Sequence, residues 1–108
     1  PHLSPMFRGI LSTFYVDLKK GFTIKEIHKI LRNFYKNNLF IKIKKLNSLI
    51  STNEVLNTNN CVISVCKTQY KNKIIILSAI DNLIKGGAGQ AIQNMNIKYG
   101  FSINEGLK

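Results

Sequence analysis

Two side chains near the start of the chain have types and surroundings suited to chemistry. His2 stands between Pro1 and Pro5 in PHLSPMFRGI, and Arg8 follows later in the same segment. Proline holds the backbone in extended or turn geometry, so this loop is stiff. It carries an imidazole, a side chain suited to acid or base work, and a guanidinium whose fork matches carboxylate and phosphate oxygens. The pair reads as a general acid/base beside an anion-binding group, at the entry to an apolar segment. No nucleophile completes the set, because no Ser, Cys or Thr has a visible base partner. His28 lies off the main apolar stripe of its own segment and reads as a surface residue.

The second unusual segment is DNLIKGGAGQAIQN, Asp81 to Asn94. Glycine inside a helix is less favourable than alanine by about 1 kcal/mol, and Gly86, Gly87 and Gly89 crowd one turn. Ile84, Ala88, Ala91, Ile92 and Met95 still recur at helical spacing and predict a helix over roughly 82–97 with Asp81 as its N-cap. Asn82, Gly86, Gly89 or Gln90, and Gln93 form a second, thin and polar face. Two explanations fit that face: close packing of helix on sheet, or a flat polar ligand lying against the helix start, where free N–H groups point outward. The sequence G-G-A-G has neither phosphate-loop spacing nor a dinucleotide fingerprint, so spacing alone does not choose.

Other elements must hold these segments in place. GILSTFYVDL, Gly9 to Leu18, alternates as a strand, with Ile10, Ser12, Phe14, Val16 and Leu18 on one face. After a Lys-Lys-Gly turn, Thr23 and Glu26 form a capping box for a helix that keeps its apolar period through Ile24, Ile27, Ile30, Leu31, Phe34 and Tyr35 to about Lys36. Phe40 to Ile43 predicts a short second strand. Leu46 to Asn60 has no sustained period, and a loop of that length is usually functional or inter-subunit. Val62 to Lys67 and Ile74 to Ile80 predict a hairpin, with Gln69 to Lys73 as its turn and the glycine-rich helix leaving its second strand. Residues after Asn96 read as a turn and tail. The order strand, helix, three strands, helix predicts an α+β domain: a mixed or mostly antiparallel sheet with helices on one face. Its other face, carrying Leu, Phe, Ile and Val, must be covered by something.

Composition bounds the possibilities. The 108 residues, 44% hydrophobic, suffice for one small domain. No apolar stretch approaches the roughly 18 residues of a membrane span, and no secretory leader is present, so a cytoplasmic protein is expected. The chain opens on Pro rather than Met and reads as a piece of a longer protein. Cys61 and Cys66 are five residues apart in a strand-like run and so should point to opposite faces; both read as reduced thiols, with no metal site. The net charge of +11 comes almost wholly from scattered Lys in Ile- and Asn-rich text rather than from Arg interleaved with aromatics. That pattern argues against a nucleic-acid groove and remains compatible with an anionic substrate or cofactor.

PHLSPMFRGI together with SAIDNLIKGGAGQAIQNMN resembles the C-terminal half of the N-acetyl-gamma-glutamyl-phosphate reductase family, relatives of aspartate-semialdehyde and glyceraldehyde-phosphate dehydrogenases. The helix ending in NFYKNN, the strand LFIKI, the segment TNNCVISV and the closing GFSINEGL fit as well, and Gly87 stands where an alanine is expected. The resemblance implies a glyceraldehyde-phosphate dehydrogenase-like C-terminal domain. Residues 1–108 would be its catalytic and dimerisation part, without the N-terminal Rossmann domain, and the 82–97 helix would return to that cofactor domain. It implies NADPH-dependent reduction of N-acetyl-L-glutamyl 5-phosphate to the semialdehyde with phosphate release, in arginine biosynthesis, on a cysteine outside these residues. Cys61 and Cys66 do not match that cysteine, so the piece alone is expected to be inactive. His2 matches the catalytic histidine. Arg8 would hold the substrate's carboxylate or phosphate, Asn82 the nicotinamide amide, Gly86 would admit the cofactor and Lys85 would contact phosphate. A homo-oligomer, dimer or tetramer, would form through the open sheet face. Alternatives are an aspartate-semialdehyde dehydrogenase or lysine-pathway analogue, and, in another class, a basic module binding RNA or an acidic protein.

Overall fold

The computed structural model describes residues 1, 2 and 4–108; Leu3 of the opening motif lies outside the described residues. Four strands form one sheet in the order β1-β4-β3-β2: β1 is Ile10–Asp17, β2 Ile41–Ile43, β3 Cys61–Lys67 and β4 Lys73–Ile80. The hairpin β3–β4 is antiparallel and β4 pairs antiparallel with β1, while β2 runs parallel to β3. The mixed α+β sheet expected from the sequence is therefore present, with strand limits within a residue of those read from its alternation.

Helix α1, Ile24–Tyr35, opens on the capping box as expected. The Thr23 N–H and hydroxyl both donate to Glu26 Oε2, and the Glu26 N–H donates back to Thr23 Oγ1. These bonds hold the Glu26 carboxyl below its ordinary range. Chain order places α1 between β1 at one sheet edge and β2 at the other. Its residues line crevices with Val16, Ile74, Ile41 and Ile43, which the register puts on one face. His28 departs from its surface reading. It is half-buried and donates Nε2–H to the Lys44 carbonyl at 2.8 Å, because α1 crosses β2 and brings the flank of its stripe onto the strand's exit.

A parallel pair needs a crossover, and between β2 and β3 that crossover is the long polar connection rather than a helix. It contains one short 3₁₀ turn, Thr52–Glu54, with its own capping box from Ser51. Val55 and Ile50 of this loop pack on Leu11, Val62 and Ala79, which the register places on the face opposite α1. The long loop thus also contributes to the core. Beyond its reach the same face remains open at Tyr15, which is 81% exposed. Cys61 and Cys66 fall on opposite faces, as their spacing predicts, and both are free thiols. Among the described residues no helix is long and apolar enough to cross a membrane, and no group of three or more His, Cys, Asp or Glu could hold a metal.

The fully buried Val55 gives the loop's core role a test. Val55→Ala should destabilise the intact chain by about 2 kcal/mol in urea unfolding, the sum of lost methyl burial and an uncollapsed cavity. A loss indistinguishable from that of an exposed loop substitution would refute this packing.

Candidate functional site

The register Ile10↔Ile80 sets the residues before β1 beside those after β4. Gly9 donates its N–H to Asn82 Oδ1 at 2.7 Å, joining positions 73 residues apart. Gly9 is glycine for two reasons: its φ is +99°, and a Cβ there would lie 2.7 Å from Thr52 Cβ.

Next to this bond, the Asp81 carboxylate is completely buried. Its Oδ1 accepts the N–H groups of Leu83 and Ile84 at 2.9 and 3.1 Å, which is the N-cap role expected of it. Its Oδ2 accepts the Asn57 N–H at 2.8 Å and pairs with Arg8 Nη2 at 3.1 Å. Burial pushes the Asp81 carboxyl up, but the N–H groups of Asn57, Leu83 and Ile84 and the Arg8 charge outweigh it, so the net direction is below the ordinary value. Arg8 also donates Nη1–H to Asn57 Oδ1 at 2.7 Å, while its Nε is buried with no acceptor among the described residues.

The helix predicted over 82–97 is two pieces. Ile84–Ala88 forms a π-helical turn with i→i−5 bonds: Gly86 N–H to Asp81 O, Ala88 N–H to Leu83 O, and Gly89 N–H to Ile84 O. Gly87 departs from helical geometry at φ −142°, ψ −119°, and the regular helix α2 runs Gly89–Tyr99. A 3.6 period carried across that break loses phase. In α2 the polar side is the buried one, through Gly89, Gln93 and Asn96, whereas Met95, Ile97 and Tyr99 are exposed. Asn59 Nδ2 and Lys85 Nζ both donate to Gln93 Oε1, at 2.9 and 2.7 Å. Asn96 Nδ2 donates to the carbonyls of Ile103 and Glu105, docking the tail on the helix.

The sequence-derived site residues therefore separate. Arg8 and Asn82 come together around Asp81. His2 sits elsewhere along β1: its N–H donates to the Leu11 carbonyl and its Nε2 lies 2.6 Å from Thr13 Oγ1, with the ring exposed. Gly86 is exposed, and an added Cβ would lie 3.2 Å from the flexible end of Ile80, 3.6 Å from the Asp81 carbonyl and 4.0 Å from Asn82 Cβ. Lys85 turns inward to Gln93 and lies over the Phe40 ring at 5.6 Å. Burial holds its ammonium below the ordinary lysine range, partly offset by Cys61. Asn57 was not singled out from the sequence, because one Asn within LNTNN carries no periodic or motif signal; its left-handed φ of 60° is visible only in the fold.

The family model described as semialdehyde dehydrogenase, dimerisation domain, matches residues 1–82. N-acetyl-gamma-glutamyl-phosphate reductase of Clostridium botulinum (strain Eklund 17B / Type B) is 52% identical over 107 residues, 99% of this chain and 31% of that protein. The protein of the same name from Staphylococcus aureus (strain MRSA252) is 45% identical over 108 residues, 100% of this chain and 32% of its own length. The chain thus spans about a third of the length of the curated relatives it matches.

Two outcomes test the geometry. A Cβ on Gly89 would sit 2.5 Å from Asn59 Oδ1 and 2.7 Å from Ile84 Cγ2, so Gly89→Ala should cost about 1–3 kcal/mol of stability in the intact chain. Gly86→Ala should change stability by no more than about 0.5 kcal/mol; equal losses at the two positions would contradict this division. The depressed Asp81 carboxyl contributes stability that is present above the unfolded value, about 3.9, and is lost as pH falls through the lower folded value. The stability gap between the wild type and Asp81→Asn should accordingly be widest near neutrality and shrink in acid unfolding curves below about pH 4. A gap that widens on acidification would contradict the assignment.

Proposed function

The chain belongs to the semialdehyde dehydrogenase dimerisation-domain family, and from that premise we propose that it is the catalytic and dimerisation part of a reductase. The reaction is conversion of N-acetyl-L-glutamyl 5-phosphate to N-acetyl-L-glutamate 5-semialdehyde with release of phosphate, in arginine biosynthesis. The observation that carries this reading is the Gly9–Asn82 bond, which unites the two segments of the family resemblance in one place. The identity of 52% to a reductase of that name, over 99% of this chain, supports it.

The residues present fit a nicotinamide cofactor at the π-helical turn. Asn82 spends its Oδ1 on Gly9, which leaves its amide N–H groups for a carboxamide oxygen, and Gly86 offers an exposed surface without a side chain. NADPH, when bound, supplies the hydride. His2, exposed and held at Thr13 and Leu11, can hold or deliver a proton at the substrate oxygen. Arg8 holds the substrate's carboxylate or phosphate. Lys85, tied to Gln93, supports the turn from inside and would have to leave that bond to reach a cofactor phosphate.

In this reading the exposed apolar side of α2 is the surface for the nucleotide-binding part of the full-length protein, and the open sheet face around Tyr15 is the surface for a second copy of the chain; the exposure of Met95, Ile97, Tyr99 and Tyr15 supports it.

In the full-length protein, NADPH oxidation should follow addition of N-acetylglutamyl phosphate and not of aspartyl phosphate, and the 108 residues alone should give none. Gly86→Ala should raise the KM for NADPH about tenfold without altering the fold, since one methyl then occupies the approach. Turnover of aspartyl phosphate alone, or activity of the 108-residue piece, would overturn the proposal.

A further inference from the structure

We propose that Asn57, from the crossover loop, is a positioning residue for Arg8, and that with Asp81 it aims the guanidinium at the anionic end of the acyl-phosphate substrate. The inference rests on the reductase reading above and adds a residue to it.

The guanidinium has five N–H groups. Asp81 engages Nη2 through both carboxylate oxygens, Oδ1 at 3.3 Å and Oδ2 at 3.1 Å, and Asn57 Oδ1 engages Nη1 at 2.7 Å, so each terminal nitrogen is held by one partner residue and Nη1 keeps a second hydrogen for a ligand oxygen. The side chain is 28% exposed, enough to meet a small molecule. The two holding groups are themselves linked, because the Asn57 N–H donates to Asp81 Oδ2 at 2.8 Å. Asp81, Asn57 and Arg8 thus close a ring of three contacts, in which the direction of the guanidinium is fixed from two sides. An ion pair alone would leave Arg8 free to swing about one carboxylate; the second, neutral acceptor removes that freedom.

The backbone of Asn57 makes a clean test possible. At φ 60° glycine is at least as comfortable as asparagine, so Asn57→Gly keeps the loop path and the N–H to Asp81 while deleting the side-chain amide whose oxygen meets Arg8. In the full-length enzyme this variant should keep or raise the thermal midpoint and leave the KM for NADPH within about twofold. It should lower kcat/KM for N-acetylglutamyl phosphate about tenfold, the usual size of a hydrogen bond to a charged group. In an Arg8→Gln background the same change should produce no further loss, since the residue it aims is gone. The proposal is overturned if Asn57→Gly leaves kcat/KM for the acyl phosphate at the wild-type level, or if the losses from the two substitutions multiply. Absence of turnover by the unsubstituted full-length enzyme would sink the reductase reading and this inference together. Wild-type turnover with an unaffected Asn57→Gly variant would sink the inference alone.

Discussion

The buried carboxylate of Asp81 is the interaction on which the rest of the site depends. A carboxylate with no exposure is tolerated only when its charge is met, and here three backbone N–H groups and one guanidinium meet it. Those donors come from three separate stretches: the loop before β1, the crossover before β3, and the turn after β4. None of the three can shift without leaving part of a buried charge uncompensated. The sheet register makes their meeting possible, since Ile10 opposite Ile80 brings Arg8 and Gly9 level with Asp81 and Asn82. Topology delivers the segments, and one buried charge then fixes their separation.

The glycine-rich segment shows how one short run divides between packing and access. Gly89 is a packing residue, pressed against Asn59 and Ile84, whereas Gly86 faces outward. The packing explanation suggested by the sequence holds at Gly89, while Gly86, three residues earlier, is free of it. Between them the widened turn changes the phase of the chain, so that α2 turns its amides inward. Gln93 and Asn96 hold the helix by directional hydrogen bonds to Lys85, Asn59 and the tail. Bonds of that kind set a distance and an orientation, which a greasy contact does not. The apolar residues released to the outside, Met95, Ile97 and Tyr99, are a surface in want of cover.

Regular periodicity made most of the fold legible. The alternation of β1, β3 and β4, the Thr23–Glu26 box and the placement of the two cysteines on opposite faces all rest on local spacing, which folding does not alter. What escaped depends on contacts between distant segments. His28 reads as exposed because it lies off the main apolar stripe of its helix, yet it bonds the Lys44 carbonyl just past β2. The break in the helix and the outward turn of Met95 escaped because a π-helical turn has no signature in hydropathy. Within the site, Arg8 and Asn82 were marked by their motifs, while the ion pair that engages Arg8 and the contact from Asn57 were not, since each joins parts of the chain far apart in sequence.

The two chemical groups of the opening loop end up held with different stiffness. Arg8 is fastened to Asp81 and Asn57, and Asn57 lies between Val55 and Asn59, both without exposure, so its position inherits the rigidity of the core. The crossover that the parallel β2–β3 pair requires thus serves twice: Val55 fills the face of the sheet, and two residues later the same strand of loop grips the guanidinium. Among the described residues His2 has no such support. It rests on the outer strand β1 by one backbone bond and one contact with a hydroxyl, both at the surface. A group that binds an anion gains from being fixed before the ligand arrives, because no ordering is left to oppose binding. A group that must pass a proton gains from a looser seat, because its partner atom moves as bonds change. In the proposed reading these are the tasks of Arg8 and His2 in turn.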